Sequence, residues 1–356
     1  METAQQISSY KPASGTINYK RRSMMFRWIQ RGVILLGSLA VLLVVLMPVA
    51  WLVSSSLQTE AEIVSVPPHW IPEEPTLRNF KAIFSAGSEE PITYETRSTQ
   101  DTSSGNYIPS TARNLLPAMW NSFVVAVLVV ILNLIVGIPA AYAMAKIRFR
   151  GRNGSVYFIL TTRVIPDIAL VVPFFLVIKN LGLLDNIASL VITYLAITVP
   201  FTVFILIQYF EGLPDELDKA ARVDGCSRFQ TLTKVFVPLS LPSLVAVILF
   251  AFLTSWNEFL LALMFTQTAQ SQTLPIVLAS FTSDFTISFS FINAAGLLAI
   301  VPPVIVAIIF ERYIVSGLTA GAVKRLTGSS GRGTHPLQER IEALPERFRR
   351  ARESQP

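Results

Sequence analysis

One stretch carries more information than the rest of this sequence: Leu213-Pro-Asp-Glu-Leu-Asp-Lys-Ala-Ala-Arg-Val-Asp-Gly-Cys-Ser-Arg-Phe-Gln-Thr-Leu-Thr-Lys-Val-Phe-Val-Pro-Leu-Ser-Leu-Pro242. It predicts a short helix with both ends marked. Pro214 suits the first turn, and the acidic residues after it lie at the positive end of the helix dipole. Gly225 can adopt the left-handed conformation that ends a helix, and Ser227 can cap a second short helix.

The predicted helix has a narrow apolar stripe. Leu213, Leu217, Ala220 and Ala221 recur at helical spacing, and small alanine side chains let another surface approach closely. Two interpretations follow from this pattern. The helix either lies on a membrane surface or docks against a cytoplasmic partner.

The sequence around this stretch is that of a membrane protein. Of its 356 residues, 52% are hydrophobic and 15% are charged, whereas about a quarter of the residues in a soluble domain are charged. A membrane helix needs roughly 20 mostly apolar residues. Six segments meet this requirement: Gly32 to Val53, Leu115 to Ala145, Val156 to Ile178, Asn186 to Phe210, about Val237 to Phe265, and Phe285 to Phe310.

The charges between these segments predict their orientation. Lys and Arg collect on the cytoplasmic side of a membrane. They are concentrated in the N-terminal tail, the second-to-third loop, the fourth-to-fifth loop and the C-terminal tail, while the first loop is acidic. Both termini are therefore expected in the cytoplasm, and the net charge of +6 records sidedness rather than nucleic-acid binding. As an alternative, the first segment is a cleaved signal peptide.

The sequence lacks the common signatures of catalysis. No phosphate-binding G-x-x-x-x-G-K-[ST], G-x-S-x-G, H-E-x-x-H or C-x-x-C occurs. Cys226 is the single cysteine, and His69 and His335 lie at opposite ends of the chain, so neither a disulfide nor a metal site is expected. We expect no catalytic residues and no cofactor in this chain. Any work it does must draw on an ion gradient or on another subunit.

The informative stretch resembles a known family. Ala220-Ala221-x-x-Asp224-Gly225, followed by Pro238, is similar to the EAA loop of permease subunits in binding-protein-dependent ABC importers, more specifically the second permease of the maltose type. Further segments carry the same resemblance: Asn121-Ser-Phe, Ala140-Ala-Tyr-Ala-Met-Ala-Lys-Ile-Arg-Phe-Arg-Gly151, Leu181-Gly-Leu-Leu-Asp185, Ser255-Trp-Asn-Glu-Phe259, Thr273-Leu-Pro275 and Glu311-Arg-Tyr-Ile-Val-Ser-Gly-Leu-Thr-Ala-Gly-Ala-Val-Lys324.

The resemblance implies a fold and a set of partners. The fold would be an all-α integral membrane protein with six transmembrane helices, a type I ABC importer permease core and cytoplasmic termini. The partners would be a second permease, two ATPase subunits that carry ATP and Mg²⁺, an extracytoplasmic solute-binding protein and membrane lipid, with no nucleic acid. The expected location is the plasma (inner) membrane of a prokaryote.

The family also implies which residues meet the ATPase. The loop helix would sit in a cleft of that subunit, which gives this set of coupling residues: Asp218, Lys219, Ala220, Ala221, Asp224, Gly225 and Pro238. Lys219 stands where the family usually has the glutamate that names the motif. The docking role is therefore carried over, but no specific carboxylate contact is.

A few polar residues inside the predicted spans are candidates for the substrate path, because charges in a membrane are expensive. Arg163 and Asp167 lie four residues apart in the third span and could pair across one helical turn; a purely structural ion pair is the alternative. Trp256, Asn257 and Glu258 in the fifth span offer the aromatic and hydrogen-bonding groups that a sugar needs. Their alternative role is packing against the partner permease.

Asn133, in the middle of the second span, is read differently. A single amide at that depth is more typical of a hydrogen bond between helices than of a ligand contact.

The chain divides into five predicted regions. These are a basic cytoplasmic tail (1–31), a first transmembrane helix (32–54), an extracytoplasmic loop (55–114), a permease core of five helices (115–316) that contains the coupling loop 211–238, and a cytoplasmic C-terminal tail (317–356). The outer loop includes a Ser/Thr-rich insertion at 85–113, and the residues from Thr327 onward exceed what the family requires.

The predicted function is that of a transport subunit rather than an enzyme. It would form half of the translocation pathway of an ATP-driven importer for a sugar or oligosaccharide. Three alternatives remain open: a permease of the same kind for a polyol, a glycerol phosphate ester or a peptide; an ion-coupled secondary transporter; and, with least support, a membrane enzyme.

Overall fold

The computed structural model describes residues 19–85, 110–282 and 288–328, and all regular structure in these ranges is helical. The α-helices, in chain order, are α1 Tyr19–Ser56, α2 Glu60–Ile63, α3 Arg78–Ser85, α4 Leu115–Lys146, α5 Arg152–Thr162, α6 Asp167–Asn180, α7 Ile187–Glu211, α8 Asp215–Val223, α9 Arg228–Thr231, α10 Val237–Leu239, α11 Leu241–Asn257, α12 Leu260–Phe265, α13 Leu274–Ser280 and α14 Phe289–Gly328. A 3₁₀ turn precedes α4, and a π-helical turn joins α9 to α10.

Four helices in the described ranges are long and apolar enough to cross a membrane, and six spans result if each of two bent helix pairs counts as one. The four long helices, α1, α4, α7 and α14, coincide with the first, second, fourth and sixth predicted segments. The third and fifth predicted segments are the bent pairs. The all-helical architecture is therefore confirmed, while two of the segments have a shape that hydropathy did not predict.

The third predicted segment is not one helix. It consists of α5 and α6, which meet at an angle of 98°. Pro166 lies in the break and disfavours helical geometry at the preceding residue, so the chain turns before α6 begins at Asp167. The prediction that Arg163 and Asp167 pair across one turn of a single helix is wrong. The Arg163 guanidinium instead donates a hydrogen bond of 2.9 Å to the Ile197 carbonyl on α7.

The fifth predicted segment is interrupted twice. The helical stretch that ends with α10 meets α11 at 84°, with the turn at Ser240. A second break follows Asn257, where Glu258 has an extended conformation before α12 begins at Leu260. The prediction of one span from about Val237 to Phe265 is therefore wrong in shape, because the continuous helix α11 covers only the middle part of this segment.

Helices α4 and α7 pack along much of their length and form the centre of the bundle. Asn133 Nδ2 donates a buried hydrogen bond of 2.7 Å to the Thr198 hydroxyl, which confirms the predicted role of Asn133 between helices. One turn further along, the helices approach so closely that a Cβ on Gly137 would lie 2.8 Å from Thr202 Cγ2. Small residues and interhelical hydrogen bonds are the usual means of helix association in membranes.

The segment between α1 and α3 is attached to α14 through one carboxylate. Glu60, at the start of α2, accepts hydrogen bonds from the backbone N–H groups of Phe289 and Ser290 at 2.9 and 3.0 Å. It also accepts hydrogen bonds from the hydroxyl groups of Ser288 and Ser290. Because a carboxylate is favourable at a helix N-terminus, Glu60 fixes where α14 begins.

Some predicted features lie outside the described residues. They are positions 1–18 of the basic tail, most of the Ser/Thr-rich insertion, Asp284, and the tail from position 329 onward.

Candidate coupling surface and translocation path

The helix predicted from the quoted stretch is present as α8, and its ends are built much as expected. Gly225 follows it with φ +81°, the left-handed conformation that ends a helix. Ser227 caps α9 in a reciprocal capping box with Gln230. Pro214 differs slightly, since it stands at the N-cap position and the acidic residues themselves form the first turn.

Two side chains of α4 hold α8 against the bundle. The Tyr142 hydroxyl donates a 2.6 Å hydrogen bond to Asp218 Oδ1. The Lys146 ammonium lies 2.6 Å from Asp215 Oδ1 and 2.8 Å from the Leu213 carbonyl oxygen. Because Tyr142 and Lys146 are four residues apart, they lie on one face of α4, and they engage two acids on one face of α8. Helix α8 is thus joined through these two side chains to the long apolar helix α4.

The pairing at the start of α8 is electrostatic. The Lys146 side chain is almost fully buried, at 4% exposure, while that of Asp215 is exposed. The hydrogen bond from Lys146 and the attraction of its charge hold the pKa of the Asp215 carboxyl below its usual range. A second ion pair, 3.0 Å long, joins Arg222 to Asp218 within α8. Asp218 therefore has one positive partner, Arg222, and one neutral hydrogen-bond donor, the Tyr142 hydroxyl.

The structure separates the predicted coupling residues into two groups. Lys219, Ala220, Asp224 and Gly225 are exposed on α8 and the turn after it, and Pro238 is exposed in α10. Asp218 and Ala221 instead face the subunit itself, with the Ala221 side chain buried.

Two apolar side chains that the motif does not include extend the exposed face. Val223 is 87% exposed and Phe229 is 70% exposed. An unpaired apolar surface at the tip of a polar loop is typical of a contact site for another protein. Sequence reasoning missed these two residues and also the two α4 anchors. One pattern in the sequence could have indicated the anchors. Tyr142 and Lys146 lie four residues apart at the end of the second predicted span, and Asp215 and Asp218 lie three residues apart in the predicted loop helix.

A second polar site lies at the break between α11 and α12. The Glu258 carboxylate accepts the backbone N–H groups of Leu261 and Ala262 at 2.7 and 3.1 Å, so it caps α12. It also accepts a 2.6 Å hydrogen bond from the Tyr194 hydroxyl of α7. Glu258 thus stabilises an interrupted helix within the bundle, a feature found in transporters where irregular backbone lines a cavity.

The neighbours of Glu258 face different surroundings. Trp256 is buried, stacks on Phe252 with ring centroids 5.8 Å apart, and donates its indole N–H to the Ala299 carbonyl on α14. Asn257 is exposed and donates a 2.9 Å hydrogen bond back to the Leu253 carbonyl. Three consecutive residues that sequence reasoning grouped together therefore divide into a packing residue, an exposed amide and a helix cap.

Arg163 and Glu258 contact the same face of α7. Arg163 contacts Ile197 and lies 5.7 Å from the Phe201 ring centre, while Glu258 contacts Tyr194. Positions 194, 197 and 201 recur at helical spacing, and seven residues of helix span about 10 Å. Asp167 is exposed at the start of α6, and no described ion pair joins it to this face. The structure thus brings together two of the three predicted charges.

The loop after α12 is held from two sides. Asp185, a non-glycine residue with φ +58°, accepts the backbone N–H groups of Gln267 and Thr268 at 2.8 and 2.9 Å, and the hydroxyls of Thr268 and Ser271. The Ser271 hydrogen bond, together with those from Thr268 and Gln267, lowers the pKa of Asp185 well below its usual range.

Asn121 supports the other side of the same loop. Its Nδ2 donates to the carbonyls of Gln270 and Gln272, each at 3.0 Å. Within the described ranges, no group of three or more His, Cys, Asp or Glu side chains could hold a metal ion.

These features are those of a helical membrane protein whose short helix α8 is exposed on one face and bonded to the long helix α4 on the other. The chain belongs to the family described as the binding-protein-dependent transport system inner membrane component, whose model matches residues 133–320. The resemblance seen in the quoted stretch is thereby confirmed. Membership of this family makes the chain a transport component of a membrane.

Curated relatives extend the match. The chain is 34% identical over 279 residues to the sulfoquinovosyl glycerol transport system permease protein of Agrobacterium fabrum, covering 78% of this chain and 89% of that protein. It is 40% identical over 205 residues to the trehalose/maltose transport system permease protein of Thermococcus litoralis, covering 57% of this chain and 74% of that protein. Both relatives are named as permeases of carbohydrate transport systems.

A solved structure shares the fold. A chain of a bacterial ABC transporter involved in the import of the acidic polysaccharide alginate superposes with a TM-score of 0.63 at 23% identity. The match covers 83% of this chain and 99% of that chain, so the bent helix pairs described above fall within a fold shared with a known transporter.

Proposed function

We propose that this chain is the transmembrane subunit of an ATP-driven importer and forms half of the translocation pathway for a sugar or oligosaccharide. The observation that carries the proposal is α8, a capped helix with an exposed small-residue and apolar face that Tyr142 and Lys146 tie to α4. Such a helix can receive a push from a cytoplasmic subunit and transmit it to the bundle. The substrate class follows from the two relatives, both of which are permeases for carbohydrates or a sugar derivative.

The proposed membrane arrangement has six spans. The two irregular crossings are the bent pair α5–α6 and the stretch from α10 to α12, which bends at Ser240 and is broken again at Glu258. Both termini lie in the cytoplasm of a prokaryote, because the basic loops then satisfy the positive-inside rule in the inner membrane. The tail 1–31, the first span at 32–54, the outer loop 55–114, the core 115–316 and the tail 317–356 are its regions. The loop 211–238 then faces the cytoplasm.

The proposed partners divide the work of the complex. Two ATPase subunits bind ATP and Mg²⁺ and close on α8, a second permease completes the pathway, and a solute-binding protein delivers the substrate outside. Lys219, Ala220, Asp224 and Gly225 contact the ATPase directly. Asp218 and Ala221 act from the inner side of α8, and Pro238 positions the turn into α11.

The proposed substrate path runs along the face of α7 that Arg163 and Glu258 share. Asn257, exposed at the helix break, supplies a hydrogen bond to a sugar hydroxyl, and Asp167 lies at the cytoplasmic side of the path. Trp256 supports the break by packing on α14. Glu258 is needed to cap α12 and to hold Tyr194, so it shapes the path.

Uptake measured in proteoliposomes tests the function. The complex that co-purifies with this chain is reconstituted, its binding protein is identified, and the ligand of that protein is determined by mass spectrometry. We expect a saccharide as the ligand and uptake that requires ATP on the cytoplasmic side. Uptake driven by an ion gradient without ATP would contradict the proposal, and a peptide or polyol ligand would leave the importer but change its substrate.

Asn257→Ala tests the path. Loss of one hydrogen bond to a neutral ligand costs about 1 kcal/mol, so the apparent KM for uptake should rise about fivefold while the complex still assembles. Asn133→Ala is the matched control, because that buried amide joins α4 to α7 and its loss should reduce assembly without changing the KM of the remaining complex. If Asn257→Ala leaves affinity and assembly unchanged, Asn257 does not line the path.

A further inference from the structure

Three adjoining cavities lie at the bend where α4 ends and α5 begins. Their volumes are about 570, 350 and 410 Å³. Arg148 and Arg152 line both the first and the second cavity, and Gly151 and Gly154 line both the second and the third. The three cavities therefore form one continuous surface, which we name the elbow groove. It runs from α8 to the outer side of α5.

The first cavity is strongly basic. Six of its lining residues are Lys or Arg and two are Asp, namely Lys146, Arg148, Arg152, Lys219, Arg222 and Arg228 with Asp215 and Asp218. Three of the bases have carboxylate partners, since Lys146 pairs with Asp215, Arg222 with Asp218, and Arg152 with Glu211. For Arg148, Lys219 and Arg228, no hydrogen bond or ion pair to another described residue is found. The cavity thus has the charge to bind an anion.

The third cavity, at the other end of the elbow groove, is largely apolar. Met144, Phe158 and Ile159 line it together with Ser155 and the two glycines. A Cβ on Gly154 would meet no heavy atom within 4 Å, so the surface there is open. A ligand that fills the whole groove must therefore be anionic at one end and apolar at the other.

Exposed aromatic side chains lie on and beside the elbow groove, with Phe149 in the second cavity and Phe158 in the third. Phe149 is 43% exposed, and Tyr157 and Phe158 are 71% and 72% exposed on α5. Aromatic residues next to arginines are typical of the boundary between a membrane and water. Basic pockets between membrane helices on the cytoplasmic side are known to bind anionic lipid headgroups.

We propose that the elbow groove binds an anionic phospholipid of the cytoplasmic leaflet. The phosphate of the headgroup lies between Arg148 and Arg228, and one acyl chain runs past Gly154 along Phe158 and Ile159. Acidic side chains of an ATPase could satisfy the charge, but they would leave the adjoining apolar cavity empty. The lipid bridges α5 and α8, and so it connects the docking helix to the membrane surface.

This inference rests on the proposed orientation of the chain, which places the elbow groove at the cytoplasmic side. Photolabelling tests it directly. The complex containing the full chain is reconstituted in nanodiscs with phosphatidylglycerol or phosphatidylcholine, each carrying the same photoreactive acyl chain. We expect phosphatidylglycerol to label peptides of α5 several-fold more strongly than phosphatidylcholine.

Two variants separate the parts of the groove. Arg148→Gln combined with Arg228→Gln removes two positive charges from the first cavity and should abolish the several-fold preference for phosphatidylglycerol. The control is Arg150→Gln, an exposed arginine that does not line the three cavities. Gly154→Leu fills the apolar end and should reduce labelling by both lipids. Its control is Gly37→Leu on the exposed surface of α1, where a Cβ also has open space.

Several outcomes would overturn the proposal. They are equal labelling by both lipids, an equal loss in Arg150→Gln, unchanged labelling in Gly154→Leu, and a label that appears only after the ATPase subunits have been removed from the complex. The last outcome would assign the cavity to the ATPase instead. Uptake is measured on the same samples. Uptake with no lipid preference refutes only the lipid site, whereas specific labelling without ATP-dependent uptake refutes only the proposed function.

Discussion

The loop around α8 and the loop after α12 are held in different ways. The loop around α8 is fixed to the bundle on one face only, through Tyr142 and Lys146, and its opposite face exposes small and apolar side chains. The loop after α12 is held from two sides, by Asp185 and by Asn121, which bond to backbone groups. The first loop thus resembles one half of an interface, and the second is already complete.

This difference indicates what each loop does. A surface that is held rigidly behind and is bare in front can take up a partner and pass on its movement, whereas a loop whose backbone is already bonded can present a fixed shape. The contrast also predicts how each loop responds to change. Substitutions on the bare face of the α8 loop should stop transport without unfolding the subunit. Substitutions of Asp185 or Asn121 should instead make the backbone of the loop after α12 less ordered.

The largest effect is expected for Gly225→Trp. A Cβ at Gly225 has no heavy atom within 4 Å, so the indole enters the space in front of α8 instead of the protein interior. Its backbone, with φ +81°, adds strain of about 1–2 kcal/mol for a residue other than glycine. Uptake should be abolished while the subunit still assembles, as measured by proteoliposome uptake and by co-purification of the second permease.

Gly182→Trp is the control for Gly225→Trp, because Gly182 has φ +67° and equally open surroundings, but it lies close to Asp185, which holds the loop after α12. It carries the same strain and the same bulk without touching the α8 surface, so ATP-dependent uptake should largely persist. Normal transport by Gly225→Trp would show that α8 does not dock to the ATPase.

A smaller effect is expected for Lys146→Met, which leaves the bare face intact and weakens the support behind it. The substitution removes a buried ammonium that bonds both Asp215 and the Leu213 carbonyl, at a cost of about 1–3 kcal/mol. ATP hydrolysis should continue while uptake per ATP falls. The control is Lys234→Met, an exposed lysine of the same loop for which no bond to another described residue is found. An unchanged ratio of uptake to hydrolysis in Lys146→Met would show that α8 moves α4 by another route.

The sequence was sufficient to predict α8, because its ends depend on local chemistry. Proline before the helix, acids in the first turn, glycine after it and the Ser227 cap act within a few residues of each other. The four long helices were predicted for a similar reason, since hydropathy over about 20 residues is also a local property. Asn133 could be placed between helices because an isolated amide in a span has few other roles.

The supports of both loops were not predictable, because they join residues far apart in the chain. Asp185 and Thr268 are separated by 83 positions, and Tyr142 and Asp218 by 76. The bends in the third and fifth predicted segments were missed for another reason. Hydropathy does not distinguish a straight helix from a bent one, and the break at Glu258 depends on Tyr194 and on the N–H groups of α12.

The smallest effect is expected for Asp185→Asn, which tests the loop after α12. The amide cannot accept all the hydrogen bonds that the carboxylate receives, and because Asp185 is partly exposed, the loss is roughly 1 kcal/mol after allowance for solvent screening. Hydrogen exchange at the backbone amides of Gln267 and Thr268 should therefore become about fivefold faster at neutral pH. Glu74→Gln is the control, because Glu74 is an exposed carboxylate between α2 and α3, in a different loop.

The pH dependence of that difference identifies its cause. The folded pKa of Asp185 is lowered, so its contribution is complete above the usual carboxyl pKa of about 4 and is lost as the pH falls from there through the lowered value. The two proteins should differ throughout the neutral range and converge only in strong acid. A difference that stays constant down to strong acid would mean that side-chain shape, not charge, orders the loop. Equal acceleration in Glu74→Gln would mean that Asp185 has no special role there, and the contrast between the two loops would then rest on Asn121 alone.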